Sequence, residues 1–190
     1  MNLDEIIQNI HFKLNNEYIM LKEPYIRTYS GINFTILNPT SEMINIDDIA
    51  HSLSYQCRYG GHSNKFYSVA RHSIIMSYLA PPKFALDALC HDMGEAYIRD
   101  LPSPIKKLLP AYCNLEDNIY AKIAFKFNLN NPIPDVVKQI DQDMIGYEWD
   151  FFMEKKPNPQ LKEFYKKHFS YKNINQTKRD FLQRFEELSL

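Results

Sequence analysis

The 190-residue chain has little cysteine: Cys57, Cys90 and Cys113 are its three, and no two of them form a Cys-x-x-Cys pair. That excludes a disulfide framework and a thiolate zinc site, and it fits a reducing compartment, which we expect to be the cytoplasm. An excess of positive charge is missing too. Lys and Arg number 22 against 23 for Asp and Glu, so no basic field advertises a nucleic-acid polymer as partner. No apolar run approaches the roughly 18 residues that cross a bilayer, and the opening MNLDEIIQNIHFKL has neither the charged lead nor the small-residue cleavage site of a signal peptide. Internal repeats and low-complexity segments are absent as well.

What is present is mostly helical patterning. The chain is long enough for one well-buried domain, expected over 1–190 with its core at about 25–154. Leu3, Ile6, Ile7, Ile10 and Leu14 recur at helical spacing, and this opening segment reads equally as a helix or as a loosely packed arm. In PYIRTYSGINFTIL, aromatic and β-branched residues flank Ser30-Gly31, which predicts a hairpin near 25–37. Ile46, Ile49, Ala50 and Leu53 mark a helix that Gly60-Gly61 ends. Further helices are expected at about Ser68 to Leu79, Lys83 to Arg99, Leu115 to Phe127, Pro134 to Glu154 and Gln176 to Leu188, separated by proline-bearing connectors.

Several polar residues fall on the apolar faces of these helices. His72 shares a face with Val69, Ile75, Met76 and Leu79; His91 and Asp92 interrupt the run Leu86, Ala88, Leu89, Cys90; Asp141 lies one turn from Val137 and from Ile145 and faces the core. Glu95 is four residues after His91 and three after Asp92, so its carboxylate reaches the space both address. A lone inward histidine or aspartate is ordinarily a hydrogen-bonded core residue. Four of them on three helices are costly to bury unless a cation gathers them, and imidazole with carboxylate suits Zn, Mn, Co, Fe or Ni. Cys90 turns away from His91 and is read as packing, while His11, His51 and His168 are read as structural or surface residues.

The order His72, His91-Asp92, Asp141 resembles the His…His-Asp…Asp signature of the HD-domain metal-dependent phosphohydrolases. YSVARHS, ALCHDMGEAYIRDLPSPIK and QIDQDMIGYE are similar to the branch containing bacterial 5′-deoxynucleotidases and small phage-type deoxynucleotide triphosphohydrolases, and TYSGINF, DIAHSLS and RYGGH look like its leading segment. The resemblance covers roughly residues 25 to 150. It implies an all-α HD-domain helical bundle with a small N-terminal β-hairpin, in which His72, His91, Asp92 and Asp141 hold a divalent transition metal. It further implies that Glu95 orients or deprotonates the attacking water, and that Arg58 and Tyr59 contact phosphate and nucleoside. Asp100 resembles a residue near the sugar hydroxyl or a second ion such as Mg, and Lys106 one that meets further phosphates; helix capping and solvation explain those two equally well. His62 and Lys65 border the expected pocket without a role.

The expected activity is hydrolysis of 2′-deoxynucleotides, releasing phosphate from a dNMP or triphosphate from a dNTP, with a nucleotide as the small-molecule partner. A homo-oligomer is compatible with the sequence, and a membrane partner is not expected. Two alternatives stand beside this: an HD hydrolase of another nucleotide, such as an alarmone or cyclic dinucleotide, and a noncatalytic nucleotide- or metal-binding module.

Overall fold

The computed structural model describes residues 24–154 and 157–190. The opening segment Leu3 to Leu14, with His11, lies outside the described residues. A two-stranded antiparallel hairpin, β1 (Tyr25–Arg27) and β2 (Asn33–Thr35), pairs Ile26 with Phe34. Its turn depends on Gly31, whose φ of +88° is open to glycine at no steric cost. Ser30 ties that turn to the first helix, its backbone N–H and hydroxyl donating to the two Asp48 carboxylate oxygens at 2.6 and 2.7 Å.

Among the described residues, everything else of size is helical. Helix α1 (Ile46–Tyr55) starts at Asn45, whose side chain accepts from the Asp47 and Asp48 amides, and α2 (Val69–Leu79) starts at Ser68, which accepts from the Arg71 amide. Then come α3 (Ala85–Cys90), α4 (Glu95–Ile98), α5 (Ser103–Lys106), α6 (Pro110–Phe127) and α7 (Asp135–Glu148). A π turn over Trp149–Met153, α8 (Lys162–His168) and α9 (Ile174–Leu188) complete the chain.

Two apolar clusters flank α2. Ile49, Leu53, Val69, Ile74, Leu89, Ile119 and Phe181 belong to one, and Tyr67, Ile75, Met76, Val137, Met144 and Phe152 to the other. His72, fully buried, therefore sits on the helix that both cores grip. Phe34 of the hairpin stacks on Tyr97 of α4 at 3.8 Å, so the small sheet braces the segment that carries Glu95.

Three expectations are corrected. The stretch Lys83 to Arg99 is not one helix: a 3-10 turn over Pro82–Phe84 precedes α3, and between Cys90 and Tyr97 the backbone tightens, Met93, Glu95, Ala96 and Tyr97 each donating to the carbonyl three residues back. Lys162–His168 forms a helix not foreseen, because its aromatic residues pack on Phe169 rather than follow an apolar stripe. Gly60-Gly61 does not end α1, which stops at Tyr55; the glycines belong to a 3-10 turn over Arg58–Gly61.

Candidate metal centre

Four side chains from three elements converge. His72 (α2) brings Nε2 to 3.1 Å from Asp141 Oδ1 (α7) and 3.9 Å from Asp92 Oδ2. His91, just past α3, brings Nε2 to 3.1 Å from Asp92 Oδ2 and 4.0 Å from Asp141 Oδ1. Donor atoms that share an ion at about 2.1 Å lie roughly 3–4 Å apart, as these do. Both Nε2 atoms are buried, and neither has a well-directed hydrogen-bond partner although carboxylate oxygens stand close by. Atoms placed at contact distance without hydrogen-bond geometry are what a shared cation requires, and His72, His91 and Asp141 form a group that can hold one. Asp141 does not face the core as expected: its side chain is 37% exposed and opens the site to a cleft, which an ion meant to meet a substrate needs.

The second nitrogen of each imidazole is fixed. His72 Nδ1 lies 2.6 Å from Glu148 Oε1, and His91 Nδ1 lies 2.8 Å from the Ala88 carbonyl. With Nδ1 donating, the Nε2 lone pair points to the shared space. Glu148 escaped the sequence reading. It is fully buried at the end of α7 and also accepts from Tyr67 (2.8 Å), Tyr59 (2.6 Å) and Arg58 Nε (3.2 Å). Burial alone would raise its carboxyl, but Arg58 and then His72 outweigh it and hold the pKa at about 2. A carboxylate 76 residues from His72 leaves no spacing to find; its one trace is an acidic residue one turn past Met144, on the helix face that also carries Val137 and Asp141.

Arg58 and Tyr59 are placed by an unusual backbone, Tyr59 adopting φ +57°, which costs a non-glycine residue about 1 kcal/mol. Both side chains then reach Glu148, and Arg58 Nη1 lies 3.5 Å from Asp92 Oδ2. Burial would raise the Asp92 carboxyl; His91, His72 and Arg58 together hold it well below the usual range.

On the open side, a cleft of about 720 Å³ is lined by His91, Asp92, Glu95, Lys106, Glu116 and Asp141, among others. Glu95 is 5% exposed and its Oε2 has no hydrogen-bond partner. Burial, then the charges of Asp92 and Asp100, push its carboxyl well above the ordinary value. Lys106 Nζ stands 3.5 Å from Glu95 Oε1 and 2.7 Å from Glu116 Oε1. The Asp100 carboxyl is raised by burial, and its amide donates to Gln56 Oε1 at 3.2 Å. Gln56 Nε2 in turn donates to the Glu95 carbonyl at 3.0 Å. This buried glutamine, also missed in the sequence, pins the two acidic residues relative to each other. His51 stacks on Tyr29 and His168 packs on Phe164, in keeping with structural roles.

No family model matches the chain. It is 44% identical over 124 residues to the uncharacterized protein YfdR of Escherichia coli, an alignment spanning 65% of this chain and 70% of that protein. It is also 33% identical over 129 residues to an uncharacterized protein of Rhodobacter capsulatus, covering 63% of this chain and 66% of the other.

Proposed function

We propose that this chain, which belongs to the family of Escherichia coli YfdR, is a metal-dependent phosphohydrolase with an HD-domain bundle, acting on 2′-deoxynucleotides. The observation that carries the reading is the pair of buried imidazole nitrogens, without well-directed hydrogen bonds, that stand with Asp141 in one group able to hold an ion beside an open cleft, Asp92 lying 3.1 Å from His91 Nε2. His72, His91 and Asp141, with Asp92 beside them, would hold a divalent transition ion. Such an ion lowers the pKa of coordinated water and offsets charge on a phosphoryl group.

The remaining steps belong to the chain's own residues. Glu148 and the Ala88 carbonyl fix the two histidine tautomers. Glu95, buried at the cleft wall with one oxygen unpartnered, accepts a proton from the attacking water at its carboxylate and can return it to the leaving oxygen. Lys106, at the same wall, offers an ammonium to substrate phosphate by exchanging its Glu116 contact. A water-activating carboxylate so placed favours hydrolysis over noncatalytic sensing.

The test is a panel of dNMPs, dNTPs, ribonucleotides, an alarmone and a cyclic dinucleotide with Mn, Co, Zn or Mg, with products separated into phosphate and triphosphate. Metal-dependent turnover of deoxynucleotides over ribonucleotides is expected. Turnover confined to alarmones or cyclic dinucleotides would move the reading to the second nucleotide class, and no turnover with any metal would overturn it.

A further inference from the structure

A second cavity, of about 590 Å³, opens on another face between the segment before α2, the π turn and α8. Its lining shares no residue with the cleft at the metal centre. Two features set its chemistry. The floor is aromatic: Tyr67 stacks on Phe152 at 4.3 Å and Tyr165 on Phe169 at 5.6 Å. At its edge lie Phe66, 41% exposed, and Tyr171, 77% exposed, large rings that no core covers.

The rim is cationic. Lys65, Arg71, Lys162, Lys166 and Lys172 line the cavity, and among the described residues no aspartate or glutamate does. Lys172 is neutralised from outside by Asp180 at 2.6 Å. Lys162 and Lys166, one turn apart on α8, have no ion pair among the described residues. Arg71 donates from Nη2 to the His168 carbonyl at 2.9 Å, while its Nε is buried and has no hydrogen-bond partner. Arg71 is half-buried among the lining residues, and the planar fork of a guanidinium suits an entering anionic group.

We infer that this cavity is a binding site for a planar aromatic anion, its ring held among Tyr67, Phe152 and Phe169 and its charged group by Arg71, Lys162 and Lys166. The ring gains from burial and aromatic contact, and the anion from partly desolvated cations. The volume lies in the range of small-molecule sites, roughly 300–1,000 Å³. The inference is independent of hydrolysis at the cleft, and its test is run on the full chain with chelator present.

The probe is naphthalene-2-sulfonate, titrated calorimetrically or by its own fluorescence. One saturable site per chain is expected, at least about tenfold tighter than for the neutral 2-naphthylmethanol, since each 1.4 kcal/mol of added polar contact is tenfold. Sulfate alone should compete only weakly. The exposed pair Lys162→Gln with Lys166→Gln, and separately Arg71→Gln, should each weaken the probe severalfold or more. Equal affinity for the neutral compound, affinity unchanged in the double lysine variant, or no saturable binding would overturn the assignment. If Arg71→Gln loses its fold, the lysine pair alone decides.

Discussion

The two imidazoles of the candidate metal centre share one group with Asp141 but are supported in different ways. His72 leans on Glu148, a buried carboxylate from a distant helix that three other donors share, and it is sealed from solvent. His91 leans on a backbone carbonyl three residues earlier and looks onto an open cleft with Glu95 and Lys106. One wall is thus a closed network of charge and hydrogen bonds, where a lost partner strands another buried group. The other wall is open and leaves Glu95 Oε2 without a hydrogen-bond partner. Substitutions in the closed wall should act on folding and ion affinity, and those in the open wall on chemistry.

That contrast breaks most readily at Glu95. Glu95→Gln should lower kcat about 10²–10⁴-fold, with the bound ion retained and the denaturation midpoint nearly unchanged; a near-normal kcat in the metal-loaded variant would remove its role. In the closed wall, Glu148→Ala leaves Arg58 buried without its main partner and should cost about 3–5 kcal/mol of unfolding free energy, read by urea denaturation. A loss below about 1 kcal/mol would show that the wall is not the tight network described. Glu148→Gln keeps the shape but weakens the hold on His72 Nδ1, so ion affinity should fall about 10–100-fold by calorimetry while the fold survives. The smallest effect is expected at Lys106→Met, where KM for a nucleotide should rise more than kcat falls; Arg58, tied to Glu148 and Asp92, should instead lower stability when replaced by Gln.

Legibility in the sequence follows the same division. The hairpin was readable because Ser30-Gly31 sits between β-forming residues, and Val69–Leu79 because Ser68 caps an apolar repeat. His72, His91, Asp92 and Asp141 could be singled out by helical period, and His72, His91 and Asp141 come together as one group that can hold an ion, with Asp92 against His91. What periodicity missed has one physical origin, contacts between residues far apart in the chain. Glu148 and Gln56 matter through partners that stand 76 and 39 residues away. The tightened turn from Cys90 to Tyr97 lies inside an apolar helical pattern that carries past Gly94, the one strong helix-breaking sign in the stretch. The exposure of Asp141 was hidden because a residue one turn from Val137 and from Ile145 can lie at the edge of the face they define.

The most direct measurement is the ion content of the purified chain, by elemental analysis after removal of loosely bound metal, for the unmodified protein and for His91→Ala and Asp141→Ala. About one transition-metal ion per chain is expected in the unmodified protein, lost or much reduced in both variants while each still folds. An undiminished ion content in the folded variants would contradict the metal centre and the hydrolysis built on it.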